Sequence, residues 1–188
     1  MNAAIAMSVI TVVLLFYGIY LYNNIVKINN LVIRSWADIV AYEREKVNLF
    51  PQLLSNLKEY YEHESTVQVE ITKLRSHIND LTGKPNVNKL KTITDLTKSC
   101  MGRFNYRRED YPNLTAYHVT KQVLNDITTL EKTIAAAITI FNMNVADFNS
   151  YIKQFPNNVV NSLTTGYKRY SRFDDSSYNN IEYKFRQQ

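Results

Sequence analysis

Four glycines and four prolines in 188 residues leave too little turn material for a many-stranded sandwich or barrel, which needs a turn every ~8–12 residues. Helices are favoured before any periodicity is considered. A single cysteine, Cys100, excludes an internal disulfide and supplies too few thiolates for a zinc or iron-sulfur centre. Its neighbours Ser99 and Met101 give no activating context, so it is expected to be a small buried hydrophobe in a reducing compartment. The length suits one domain plus a membrane segment, and not two domains with separate cores.

Reactive constellations are missing as well. His63 followed by Glu64 is half of a zinc-protease motif, but the chemistry needs a second histidine four residues on, and that position is Val67. His63 and His77 share a helical face, yet fourteen residues of helix hold them roughly 21 Å apart. No paired Glu-x-x-His motif marks a di-iron bundle. Thr82, Gly83 and Lys84 lack the upstream glycine of a phosphate loop, and no serine sits in a nucleophile elbow. These absences predict a protein that is not an enzyme, with no catalytic, metal or cofactor residues and no small-molecule substrate.

Charge is absent from Ala3 to Tyr22, twenty residues that include Ile5, Val9, Ile10, Leu14, Leu15 and Phe16. About twenty residues at 1.5 Å rise cross a hydrocarbon core of about 30 Å. A cleavable signal peptide would begin with a basic stretch and carry a shorter apolar run; no Lys or Arg precedes this one. No cysteine lies nearby to carry a lipid. Lys27 and Arg34 follow the span, so by the positive-inside tendency the N-terminus is expected outside and the C-terminal part in the cytoplasm, at the inner membrane. Tyr17, Tyr20 and Tyr22 suit headgroup depth at the inner end.

Beyond the span, apolar positions recur every three or four residues, and helix is expected nearly throughout. The first helix should continue through Ile25, Ile28, Val32, Trp36, Ile39 and Val40 to about Leu49, since Pro51 disfavours helical geometry at Phe50. A second should carry Leu53, Leu57, Tyr60, Val67, Ile71, Leu74, Ile78 and Leu81, ending at Gly83 and Pro85. A third presents Leu90, Ile93, Thr97, Cys100 and Phe104, and Pro112 marks the next start. In the fourth, Ile134, Ile138, Phe141, Val145, Phe148, Ile152 and Phe155 alternate spacings of four and three, a seam that needs partner helices. Pro156 should close it and Gly166 a short helix after it, before a loosely ordered tail. The expected fold is all-α: a transmembrane helix over residues 1–24 continuing into an antiparallel four-helix bundle over 25–165, then a basic, aromatic tail over 166–188. In that topology the turn around Gly83 and the chain after Phe155 lie near the membrane, and the turns near Pro51 and Pro112 far from it.

Several residues in order and spacing resemble the LemA family of bacterial membrane-anchored proteins. Tyr22 and Asn23 follow the span; Trp36, Asp38 and Ile39 come next; Leu49, Phe50, Pro51, Leu53, Leu54 and Leu57 precede Glu59, Tyr60, His63 and Glu64. Tyr111, Pro112 and Asn113 lead to Leu130, Glu131 and Ile134, and the pairs Phe141 with Asn142 and Phe148 with Asn149 precede Phe155, Pro156, Gly166 and Phe173. Ile138 departs from the pattern, which commonly has arginine there, and the tail after Asp174 has no clear counterpart. The resemblance implies an antiparallel helical bundle on a membrane anchor and brings no catalytic or binding residues with it.

The surfaces left are few. Asn142 and Asn149 flank the fourth seam seven residues apart, where buried amides fix helix register; a ligand contact is the other reading. Lys98, Arg103, Arg107 and Arg108 form a basic run, but Glu109 and Asp110 follow it, which disfavours nucleic acid. Tyr167, Lys168, Arg169, Tyr170, Arg172 and Phe173 suit a peripheral contact with an anionic leaflet. Tyr42, Tyr60, Tyr61 and Tyr117 are candidate anchors for a protein partner, though core packing is the commoner use of such rings. The expected partners are the bilayer and another protein or a second copy. The expected role is a membrane-anchored structural or adaptor protein; the alternative is an accessory subunit of a membrane protease or transporter.

Overall fold

The computed structural model describes residues 2–56, 65–110 and 117–174, with side chains over 3–55, 68–102 and 121–174. The expectations for Leu57, Glu59, Tyr60, Tyr61, His63, Glu64, Val67, Arg103, Phe104, Arg107, Arg108, Tyr111, Pro112, Asn113 and Tyr117, and for residues 175–188, rest on positions or side chains outside these. The described backbone is helical, without strands: α1 Asn2–Asn56, α2 Ser65–Asn79, α3 Val87–Asp110, α4 Tyr117–Tyr151 and α5 Asn157–Leu163. The chain divides into two compact units, Met1–Ser35 with Ile140–Arg172, and Trp36–Thr139 with Phe173–Gln188.

In the first unit, α1 changes character along its length. From Ala3 to Tyr20 the side chains are exposed all round the helix apart from half-exposed Gly18, whereas from Leu21 onward Leu21, Ile25, Asn29 and Val32 are buried at spacings of four and three. That spacing holds one helical stripe against a neighbour. Phe141, Val145 and Phe148 of α4, and Ile152 just after it, are buried in the same rhythm. Asn144 Nδ2 donates to Leu31 O at 3.4 Å, and the buried Ser35 hydroxyl is satisfied by Leu31 O at 2.9 Å.

The second unit packs Trp36, Ile39, Val47, Phe50 and Leu53 of α1, Ile71, Leu74 and Ile78 of α2, Leu90, Ile93 and Cys100 of α3, and Ile127, Ile134 and Ile138 of α4 into its core. Helices α2 and α3 pack against each other. The buried Trp36 indole donates to Leu81 O at 3.1 Å, tying α1 to the turn after α2. Gly83 in that turn has φ +98°, a conformation that a side chain would strain. Asn86 Oδ1 accepts from Lys89 N at 3.1 Å and caps α3.

Two helix ends differ from the sequence expectation. Helix α1 does not stop near Leu49 but carries Pro51 inside it and includes Leu53. An internal proline costs about 3 kcal/mol through the lost bond and ring clash, but Val47, Phe50 and Leu53 are buried around it at about 1.5–3 kcal/mol each. Helix α4 does not reach Phe155: it ends at Tyr151, and Phe155 is 83% exposed and outside the seam. Pro156 disfavours helical geometry at Phe155, and the chain tightens beforehand through Lys153 N to Ser150 O and Gln154 N to Tyr151 O.

Candidate functional site

The segment after α5 is held by asparagine side chains. Asn149 on α4 uses both ends of its amide on the Tyr170 backbone: Nδ2 donates to Tyr170 O at 2.8 Å and Oδ1 accepts from Tyr170 N at 3.0 Å. Asn161 on α5 similarly accepts from Tyr167 N and donates to Tyr167 O, each at 3.1 Å. Gly166, at φ +59°, donates its N–H to Asn161 O at 2.7 Å, closing the turn after α5. The Asn149 amide thus serves the C-terminal segment rather than the register of a facing helix. Asn142, seven residues earlier, is half-buried.

The cations and rings of the basic, aromatic cluster separate. Lys168, Arg169 and Arg172 are exposed, whereas the Tyr167 and Tyr170 rings lie on Phe148 at centroid distances of 6.2 and 5.4 Å. Tyr170 Oη donates to Asn29 Oδ1 at 3.0 Å, and burial followed by the neighbouring Tyr167 raises its pKa above the usual 10.0, so the phenol stays a donor. Phe173 is buried. The residues through Phe173 are therefore fixed rather than loose. Charge is segregated in the same way. The first unit contains Lys27, Arg34, Lys153, Lys168, Arg169 and Arg172 against Asp147 alone, which is the chain's entire formal surplus of +5.

A second constellation lies in the other unit. Glu43 and Lys46 on α1 are both 0% exposed and approach to 2.9 Å, yet neither carboxylate oxygen nor the ammonium has a hydrogen-bond partner among the described residues. Thr97 Oγ1 on α3 is buried and unsatisfied in the same sense. Glu131 on α4 belongs to this field: burial raises its pKa, Lys46 and Lys98 lower it, and Glu43 raises it. The sequence signal was a polar pair set in an apolar seam, since Glu43 and Lys46 continue the spacing of Trp36, Ile39 and Phe50. Buried, imperfectly bonded charge costs several kcal/mol per ion, so this cluster lowers stability relative to an apolar filling.

Other features offer less chemistry. Cys100 is buried, with Sγ 3.6 Å from Glu70 Oε2. Arg44, Val47, Asn48, Arg75, Ile78 and Asn79 line an open groove in the second unit. Tyr42 is half-buried. Among the described residues no group of three or more His, Cys, Asp or Glu is placed to hold a metal ion.

The fold defines an all-helical protein in which one helix, near the N-terminus, is long and apolar enough to cross a membrane. The LemA family model matches residues 35–185, and on that match the chain belongs to the LemA family. It is 28% identical over 149 residues to a protein described as Protein LemA from Metamycoplasma hominis, an alignment covering 78% of this chain and 67% of that relative.

Proposed function

We propose that this chain is a membrane-anchored, non-enzymatic structural or adaptor protein whose α1 crosses the cytoplasmic membrane once and continues, with α2, α3 and α4, into an antiparallel four-helix bundle on the cytoplasmic side. The observation that carries the reading is the exposure of Ala3–Tyr20: large apolar side chains cover every face of the helix there and are 49–70% exposed. Such a surface is stable in hydrocarbon and a liability in water. The segregated positive charge supports the orientation, because basic residues next to a span are retained on the cytoplasmic side. Antiparallel pairing of α1 with α4 is supported inside the first unit: Asn144 meets Leu31, and further along α4 Phe148 and Asn149 hold Tyr170, whose hydroxyl reaches Asn29, earlier on α1.

Crosslinking in native membranes followed by mass spectrometry tests the adaptor role. Crosslinks to a second copy or to a scaffold protein fit it. Crosslinks confined to one protease or transporter would replace it with an accessory-subunit role, and nucleic acid released steeply by salt would contradict both.

A further inference from the structure

The first unit carries a second exposed apolar surface, outside the span. Phe155, Val159 and Leu163 are 83%, 44% and 80% exposed, spaced four apart, with Val159 and Leu163 on one face of α5. Around them in the sequence lie Lys153, Lys168, Arg169 and Arg172, all exposed, with no acidic residue between Lys153 and Arg172.

Where this surface sits follows from contacts inside the unit. Asn144 meets Leu31; further along α4, Phe148 and Asn149 hold Tyr170, whose hydroxyl reaches Asn29. Advancing along α4 therefore means retreating along α1. Seven residues separate Asn144 from the end of α4 at Tyr151, roughly 10 Å of helix, which brings that end level with about Asn24. Burial on α1 begins at Leu21 and the bare apolar stretch lies just before it. The chain from Phe155 through α5 thus emerges at the level where α1 leaves the span.

The geometry points to α5 as a second, peripheral contact of this protein with the membrane: Phe155, Val159 and Leu163 enter the headgroup boundary while Lys153, Lys168, Arg169 and Arg172 face anionic lipid. The inference rests on the anchor reading of α1. Lipid is the occupant because the surface is level with the span, exposed cations and no acidic residue flank the apolar residues in the sequence, and the chain's whole positive surplus is in this unit. The apolar share of the contact falls to these three residues because the Tyr167 and Tyr170 rings are engaged on Phe148.

The test uses the full chain in a Cys100→Ala background, with an environment-sensitive fluorophore attached in turn at Leu14→Cys, Met143→Cys, Phe155→Cys and Leu163→Cys. The proteins are reconstituted into vesicles of phosphatidylcholine with or without phosphatidylglycerol, carrying brominated acyl chains. Expected are a blue shift and quenching at 14, 155 and 163 but not 143, with quenching at 155 and 163 stronger in anionic vesicles. Lys168→Ser, Arg169→Ser and Arg172→Ser together should reduce quenching at 155 and 163 and leave 14 unchanged. Quenching at 14 alone would overturn the α5 contact while sparing the anchor; no quenching at 14 would overturn both. Equal quenching in the two lipids would overturn the charge-guided contact. Disulfides between Phe155→Cys chains without quenching would give the surface to a second copy and overturn the inference.

Discussion

Residues 3–20 of α1 and residues 141–151 of α4 belong to one compact unit and are both rich in large apolar side chains, yet the first stretch is bare on every face and the second buries a single stripe. Their patterns account for the contrast. In α4, buried Phe141, Val145 and Phe148 alternate with exposed Met143, Asp147 and Ser150, so one face meets protein and the other meets water. In α1 no charged residue interrupts the apolar surface from Ala3 to Tyr20, and its large side chains stay exposed within this unit. A stripe specifies a partner helix. An all-round apolar surface specifies a solvent instead, which is the basis for the proposed membrane anchor.

The contrast can be broken most severely at Phe148. Phe148→Ala empties a fully buried site that also supports two tyrosine rings, and should lower stability by about 3–5 kcal/mol in chemical denaturation. Phe16→Ala in the same assay in detergent should change it by less than about 0.5 kcal/mol, because Phe16 is 69% exposed. Next in size, Leu14→Arg should disfavour insertion by about 2.5–3.5 kcal/mol and reduce the membrane-bound fraction, leaving circular dichroism of the remaining helices unchanged.

Asn149→Ala sharpens the contrast from the packed side. It removes both amide bonds to Tyr170 and should cost about 1–3 kcal/mol, read as faster hydrogen exchange at the Tyr170 amide and faster proteolysis at Lys168 and Arg169. The smallest effect is expected at Glu131, outside the two stretches. Burial raises its pKa above 4.5, so the folded state holds the proton more tightly than the unfolded state. That contribution is fully present below about 4.5 and is lost as pH rises through the raised folded pKa. Glu131→Gln should therefore raise Tm at pH 7, the gain shrinking as pH falls to 4.5 and below. A lower Tm at pH 7 would mean that attraction to Lys46 and Lys98 outweighs burial.

The features legible in the sequence were those encoded by local period. The α4 stripe from Ile134 to Ile152 and the uncharged run from Ala3 to Tyr22 need only the spacing of apolar residues along one helix. Pro51 misled because its penalty is local, whereas the burial of Phe50 and Leu53 that outweighs it comes from residues far along the chain. The spacing of Asn149 suggests an amide that fixes the register of a facing helix, but its partner lies twenty-one residues onward in a segment with no period to betray it. Glu43 and Lys46 continue the spacing of the α1 seam, but two charges at seam positions do not by themselves show whether neighbouring helices bury them. The basic cluster was visible, but not the inward turn of its tyrosines, which depends on Phe148 and Asn29, nor the charge segregation, which emerges only when residues 1–35 and 140–172 fold together.

The account depends most on residues 3–22 remaining on the mature protein and lying in lipid. Alkaline carbonate extraction of membranes from cells expressing the full chain, with mass analysis of its N-terminal peptide, measures both at once. The protein should stay in the membrane pellet with its first residues intact. Release into the supernatant, or a mature N-terminus beyond Tyr22, would contradict it.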